Sequence, residues 1–213
     1  MKFTSASTWD GRNNVPLMGL YVITFLVSWL YTFIFTSDTS NWIIENILTV
    51  GFIALLVLGR RRFAFSDLSY ALAFVYIMLH IFGAQHTYAE TPIGYWIKEA
   101  LGLERNPYDR IVHFSFGFLL AYPMRDYFRN KMQWPNWVCW VLPIEITLSF
   151  SGMYELVEYG VADIFFPKLG TNYLGTQGDP WDAQKDMSMA FGGAILSMLM
   201  VSVCKRLFQR NVA

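Results

Sequence analysis

Charged residues and cysteines are both scarce in this chain of 213 residues. Only 15% of the residues are charged and two are cysteines, whereas 54% are hydrophobic. Soluble domains contain about 25% charged residues, so the composition argues against a water-soluble globule. The basic residues number 16 and so do the acidic residues. This balance argues against a nucleic-acid partner, because binding to nucleic acid requires a clear basic excess.

Sequence motifs for common cofactors are also missing. The chain contains no Walker loop, dinucleotide fingerprint or zinc-finger spacing, and it has no internal repeat. The two cysteines, Cys139 and Cys204, fall on the cytoplasmic side of the topology derived below, where reducing conditions disfavour a disulfide. We therefore predict that both cysteines serve in packing.

Long apolar runs dominate the sequence instead. A membrane-spanning helix needs about 20 mostly apolar residues, because roughly 30 Å of hydrocarbon is crossed at 1.5 Å per residue. The runs predict an all-α polytopic membrane protein, with a single domain over 1–213 and a bundle of six transmembrane helices. The predicted spans are about 15–36, 42–59, 68–89, 108–124, 135–160 and 187–204.

The distribution of basic residues predicts that the N and C termini are cytoplasmic. With that orientation, eleven of the 16 basic residues fall on the cytoplasmic side, as the positive-inside rule requires. These are Lys2, Arg12, Arg60, Arg61, Arg62, Arg125, Arg129, Lys131, Lys205, Arg206 and Arg210. The five on the outer side are Lys98, Arg105, Arg110, Lys168 and Lys185.

Acidic residues and histidines gather at the outer side. Twelve of the 16 carboxylates and all three histidines fall in the outer half. Three pairs have the spacing of neighbours on one helix face: Asp109 with His113, Glu155 with Glu158, and Asp182 with Asp186. Antiparallel packing of the helices would unite these pairs in an acidic, histidine-containing pocket that opens outward. His86 is predicted to join the pocket because of its depth, and His80 to be a packing residue.

Carboxylates combined with a neutral imidazole form a ligand set for a divalent metal ion. The predicted metal ligands are Asp109, His113, Glu155, Glu158, Asp182, Asp186 and His86. Within this set, Glu155, Glu158 and His113 are the candidates for acid–base catalysis. The leading hypothesis is therefore a site that acts on a cell-envelope lipid or a lipid-linked substrate in the bilayer.

Two other functions and several structural roles remain open from the sequence. The same groups could form the path of a small proton- or cation-coupled transporter, or they could pair with one another and hold the helices together. Asp109 and Asp182 each follow a capping residue by three positions, as in a capping box. In the structural alternative, Arg110 is the nearest candidate salt-bridge partner of Glu155 and Glu158. Glu145, near mid-membrane, is expected to be buried and either protonated or paired.

The outer loop and helix start at 170–186 combine glycines with acidic residues. Glycines permit tight turns that expose backbone amides, and a helix start attracts anionic groups. Aspartates repel a bare phosphate unless a metal ion lies between them. The segment is therefore interpreted either as a lid over a metal-bridged ligand or as a rigid polar cap on the bundle.

Three stretches of sequence resemble a known family: NPYDRIVHF at 106–114, YELVE at 154–158 and YLGTQGDPWDAQKDM at 173–187. Together they resemble the YjdF family of bacterial inner-membrane proteins, a domain-of-unknown-function family. The resemblance implies a multi-pass protein of the bacterial cell inner membrane and carries no assigned reaction. A shorter pattern is similar to VanZ-like membrane proteins: Asp109-x-x-x-His113-Phe114, with Asp182-x-x-x-Asp186 before Gly192-Gly193. That likeness is compatible with work on the outer leaflet.

The predicted topology can be tested with reporter fusions. Alkaline phosphatase joined after Asn106 or after Gln177 should be active, because both positions are predicted to lie outside the cytoplasm. A green fluorescent protein joined to the C terminus should fluoresce. An inactive phosphatase at either outer position would contradict the one-sided arrangement of the acidic residues.

Overall fold

The computed structural model describes residues 14–60, 63–165 and 176–210, and every regular element in these ranges is an α-helix. The all-α prediction is confirmed. The helices are α1 (Val15–Ile34), α2 (Thr39–Arg60), α3 (Asp67–Gln85), α4 (Pro92–Leu101), α5 (Tyr108–Asn130), α6 (Asn136–Phe165) and α7 (Asp182–Arg210). The short helix α4 was not predicted.

Four helices in the described ranges are long and apolar enough to cross a membrane: α1, α2, α3 and α7. This number supports a polytopic membrane protein. Helices α5 and α6 have 23 and 30 residues, so their length is sufficient. Both carry several ionisable residues, which lowers their apolar character. Six spans, cytoplasmic termini and a single domain therefore remain predictions.

Local sequence explains where the helices begin and end. Ser66 caps α3 by accepting a hydrogen bond from the Ser69 amide at 3.2 Å, as its position before an apolar run predicts. The third span was predicted to extend to residue 89, and this boundary was wrong. The chain leaves the helix after Gln85 and turns through Thr87 and Tyr88, whose φ angles are 52° and 53°. The turn folds the Tyr88 hydroxyl back to 2.6 Å from His80 Nδ1.

The contact between α5 and α7 is close enough that only glycine fits at two positions. A Cβ atom added to Gly117 would lie 1.9 Å from the Ala190 carbonyl oxygen, and one added to Gly193 would lie 2.2 Å from that of Phe114. Small residues allow helix backbones to approach in this way within membranes. The contact sets the register in which α5 and α7 run side by side in the same direction.

Other helices complete the bundle around this pair. Helix α6 runs antiparallel to α5 and α7 and packs on both, while α3 packs on the other side of α5. Helices α1 and α2 pack on α3, where Phe25, Ile77 and Ile81 form a buried cluster. Cys139 is buried and Cys204 is exposed, and both are free thiols. The prediction of unpaired cysteines is confirmed, although only Cys139 is packed inside the bundle.

Neighbouring glycines in α7 provide a matched test of the close contact. We expect Gly193→Ala to lower the free energy of unfolding by about 2 kcal/mol, because the new methyl group would push α5 and α7 apart. Gly192→Ala is the control, since an added Cβ there has no atom within 4 Å. Thermal unfolding in detergent micelles measures both variants. Equal stability of the two would contradict the described contact.

Candidate functional site

An acidic cavity of about 380 Å³ lies at the end of the bundle where α5 and α7 begin. Five of the seven predicted metal ligands line it: Asp109, Glu155, Glu158, Asp182 and Asp186. Residues 176–180, which precede α7, contribute Thr176, Gly178, Asp179 and Pro180 to its wall. The residue pairs predicted from helix-face spacing therefore come together, because the first turns of α5 and α7 meet the last third of α6.

His113 lies at the centre of the cluster and is buried. Its Nε2 atom is 3.6 Å from Asp109 Oδ1 and 3.5 Å from Glu155 Oε1, and its Nδ1 atom is 3.4 Å from Ser151 Oγ. Ligand atoms of Asp109, His113 and Asp186 all lie within 4.8 Å of one another. Helices α5 and α7 supply these three residues, so the register of that helix pair determines the geometry of the cluster.

Two carboxylate oxygens in the cluster have no hydrogen-bond partner among the described residues: Glu155 Oε1 and Asp186 Oδ1. Asp186 is only 2% exposed. Arg110 Nε lies 3.9 Å from Asp186 Oδ1, which is too far for a hydrogen bond. An unpartnered buried carboxylate is costly, so a proton or a cation is needed to stabilise these oxygens.

Two arginines form a separate ion-pair network at the rim. Arg105 Nη1 binds Asp182 Oδ1, and Arg110 Nη2 lies 2.5 Å from Asp179 Oδ2 and 3.4 Å from Asp182 Oδ1. Lys185 Nζ lies 2.6 Å from the same Asp179 oxygen. The hydrogen bond from Lys185, together with those from the Trp181 amide and Arg110, holds the pKa of Asp179 well below its usual range. Asp179 therefore remains charged and continues to pair with Arg110 at mildly acidic pH.

This network changes two of the sequence interpretations. Arg110 was the candidate partner of Glu155 and Glu158, and this was wrong, because the side chain reaches Asp179 and Asp182 on α7's side of the cavity. Asp182 was predicted as a metal ligand, but its Oδ1 is occupied by the arginines. One sequence signal points to this pairing of arginines with aspartates. Aspartates outnumber lysines just before α7 and in its first turns, so they need basic partners from elsewhere in the chain.

Neither predicted capping box forms, and the Asn106 side chain accepts instead from the Tyr108 amide at 3.0 Å. The Asn106 amide donates to Gln177 Oε1 at 2.9 Å and its carbonyl accepts from Gln177 Nε2 at 3.1 Å. Asp109 does not need to cap α5 and faces His113 instead. The Asp179 side chain accepts from the Trp181 amide at 3.0 Å, ahead of Asp182. Residues 176–181 are thereby attached to the start of α5. Residues 170–175 of the predicted loop lie outside the described residues.

Three other polar residues lie at positions that the residue spacing in the sequence did not predict. His86 ends α3 and packs edge-on against Phe82 at a ring distance of 5.0 Å, and it is not part of the cluster within 4.8 Å in the described ranges. Glu145 is exposed on the surface of α6, so the expectation that it is buried was wrong. Sequence reasoning also missed Glu45, which is buried and accepts a hydrogen bond from the Tyr154 hydroxyl at 3.0 Å.

Comparison with known proteins gives the chain a family. Residues 17–207 match the family described as "Predicted membrane protein (DUF2238)". The chain belongs to this family. It is 33% identical over 192 residues to the "Inner membrane protein YjdF" of Escherichia coli (strain K12), which covers 87% of this chain and 89% of that protein. No solved structure matches the chain significantly.

Membership in the family agrees with the resemblance found from the three sequence stretches. The match includes α1 through most of α7, so it covers all the residues that line the cavity. The predicted location is confirmed: the protein is an integral protein of the bacterial inner membrane. The family carries no stated reaction, so the chemistry of the cavity has to be argued from its own residues.

The ion-pair network predicts a large difference between two basic residues. Replacing Arg105 by Met should lower the free energy of unfolding by about 3 kcal/mol, because it leaves the buried Asp182 carboxylate with a weaker partner. Lys185→Met is the matched control and should cost less than about 1 kcal/mol, because exposed ion pairs contribute little. Denaturation of both variants in detergent measures the difference. Adding Asp182→Asn to Arg105→Met should recover part of the loss, and no recovery would contradict the pairing.

Proposed function

We propose that the cavity binds a divalent metal ion and acts on the phosphate-bearing headgroup of a membrane lipid or a lipid-linked envelope substrate. The observation that carries the proposal is the cluster of Asp109, His113 and Asp186, whose ligand atoms lie within 4.8 Å of one another. The unpartnered buried oxygen of Asp186 provides the electrostatic reason, because a cation bound to the cluster would satisfy it.

The donor set of two carboxylates and one imidazole suits several divalent ions. Carboxylate oxygens are preferred by Mg²⁺, Ca²⁺ and Mn²⁺, whereas imidazole nitrogen is preferred by Zn²⁺ and other transition metals. His113 Nε2 and Asp109 Oδ1 lie 3.6 Å apart, which is short enough for both atoms to bind one ion. Glu158, which lines the same cavity, is available as a further oxygen ligand.

The surroundings of the cavity suit an anionic lipid substrate. Arg105 and Arg110 lie at the rim, and arginine is well suited to phosphate recognition. On the α6 side the cavity is bordered by Tyr159, which is 61% exposed, and the adjacent Leu156 is 70% exposed. A polar cavity with an apolar flank accommodates a substrate whose headgroup is charged and whose chains stay in the bilayer.

The residues around the cavity also supply acid–base groups. A bound cation would polarise a phosphoryl or carbonyl oxygen of the substrate. Glu155, whose Oε1 lies 3.5 Å from His113 Nε2, would accept the proton of an attacking water and return it to the leaving group, while His113 holds the ion. Ser151 lies 3.4 Å from His113 Nδ1 and would orient the ring. Hydrolysis or transfer of a headgroup is therefore the proposed class of reaction.

A second candidate function is proton- or cation-coupled transport. It is favoured by one observation, the polar contacts that continue inward from the cavity. Glu158 lines the cavity, and one turn away the Tyr154 hydroxyl donates to the buried Glu45 at 3.0 Å. The backbone carbonyl of Glu45 lies 3.3 Å from His80 Nε2, and the other ring nitrogen of His80 lies 2.6 Å from the Tyr88 hydroxyl. Tyr154 and the Glu45 carboxyl group could pass a proton inward from the cavity, whereas His80 contacts only the Glu45 backbone carbonyl, which does not relay a proton.

Metal binding can be measured on the purified protein. We expect isothermal titration with Mn²⁺ or Ca²⁺ to give one site, and Asp186→Asn to weaken it at least tenfold, because a charged ligand is lost. Glu155→Gln combined with Glu158→Gln should have a similar effect. Asp163→Asn is the control, since Asp163 is an exposed carboxylate near the end of the same helix α6.

The outcome separates the two functions. The proposed metal site would be contradicted if Asp186→Asn and Asp163→Asn both bound metal as tightly as the original protein. Transport is favoured over headgroup chemistry if the original protein carries cations or protons into liposomes and Glu45→Gln abolishes this flux. If Glu45→Gln leaves metal binding intact and no flux is seen with the original protein, the lipid-directed proposal is retained.

A further inference from the structure

A buried arginine lies at the opposite end of α5 from the acidic cavity. Arg125 is only 6% exposed, and its Nε and Nη2 atoms have no hydrogen-bond partner among the residues that the structure describes. Its guanidinium carbon lies 4.3 Å from the centre of the Trp140 ring, which gives a close cation–π contact. The indole ring stabilises the positive charge, but it does not accept a hydrogen bond from the Nε or Nη2 atom of Arg125.

Two more basic side chains lie near Arg125, and one of them, Lys205, also faces the Trp140 ring. Lys205 Nζ lies 6.0 Å from the centre of the Trp140 ring, and Arg129 follows Arg125 by one helical turn on the same face of α5. Both Lys205 and Arg129 are exposed. We call Arg125, Arg129, Lys205 and Trp140 the Trp140 cluster. It is formed where α5 and α7 approach their C-terminal ends and α6 begins.

The one acidic neighbour in sequence is already engaged. Asp126 accepts hydrogen bonds from the Ser66 amide at 3.2 Å, from Ser69 Oγ at 2.8 Å and from Asn130 Nδ2 at 2.5 Å. These contacts occupy both of its carboxylate oxygens at the start of α3. The Trp140 cluster therefore carries an excess of positive charge, and the Nε and Nη2 donors of Arg125 have no acceptor among the described residues.

We propose that the Trp140 cluster binds the phosphate of an anionic phospholipid. Phosphate oxygens accept charge-assisted hydrogen bonds from guanidinium groups, and basic pockets between membrane helices bind anionic headgroups. The apolar surroundings identify a lipid as the source of the phosphate. Val203 and Leu207 on α7 are 54% and 57% exposed, and Val141 beside Trp140 is 47% exposed, so acyl chains have an apolar surface to cover.

This site is independent of the acidic cavity. It is built from the opposite ends of α5, α6 and α7 and shares no residue with the cavity wall. If the termini are cytoplasmic, as the basic residues predict, the bound lipid belongs to the inner leaflet. The site then serves to anchor the end of the bundle that is away from the proposed chemistry.

Lipid binding can be tested by native mass spectrometry of the protein in a non-ionic detergent. Phosphatidylglycerol should remain bound in preference to phosphatidylcholine and should raise the unfolding temperature. Each neutralised cation should weaken phosphatidylglycerol binding roughly fivefold, so Arg129→Gln combined with Lys205→Gln should weaken it roughly 25-fold. Both side chains are exposed, so this variant is expected to fold even if Arg125→Gln does not.

Arg60→Gln is the matched control, because Arg60 is an exposed basic residue at the same end of the bundle and contacts Tyr70 instead. Its phosphatidylglycerol binding should equal that of the original protein. Equal binding of phosphatidylcholine, an equal loss in Arg60→Gln, or the same stabilisation by sodium phosphate alone would each overturn the proposal. Retention of binding in the Arg129→Gln and Lys205→Gln double variant would overturn it as well.

Discussion

The close packing of α5 against α7 is the constraint on which the rest of the structure depends. Gly117 and Gly193 let the two backbones touch, with Ala190 and Phe114 carbonyls opposite them. The register that brings Gly117 to Ala190 also places His113, one turn before Gly117, beside Asp186, one turn before Ala190. A slip of one residue would rotate the two side chains away from each other. Packing of small residues therefore positions the polar cluster.

The placement of charge follows from the cost of burying it. The carboxylates at one end of the bundle divide into two groups. Asp179 and Asp182 pair with Arg105 and Arg110, whereas Asp186 and Glu155 keep buried oxygens with no hydrogen bond in the described part of the chain. At the other end the excess is positive, around Trp140. The neutral total of the sequence thus conceals two clusters of opposite charge at the two ends of the bundle.

Sequence periodicity predicted what lies within one helix better than what lies between helices. The spacing of Asp109 and His113 placed them together because both belong to one helix face. Depth along a predicted span says nothing about rotation around the helix axis, which is why His86 and Glu145 were misplaced. The arginine partners were missed because Arg105 lies outside a helix and reaches α7 only after the chain folds. Glu45 was missed because its partner Tyr154 is 109 residues away in the sequence.

The central claim is that packing of α5 on α7 builds a cation site containing one imidazole. Electron spin-echo spectroscopy of the protein loaded with Mn²⁺ tests this most directly, because it detects a nitrogen nucleus bonded to the metal. The account predicts a single histidine nitrogen coupled to the ion, lost in His113→Ala and retained in His86→Ala. Bound Mn²⁺ without any nitrogen coupling, or with a coupling that survives His113→Ala, would contradict it.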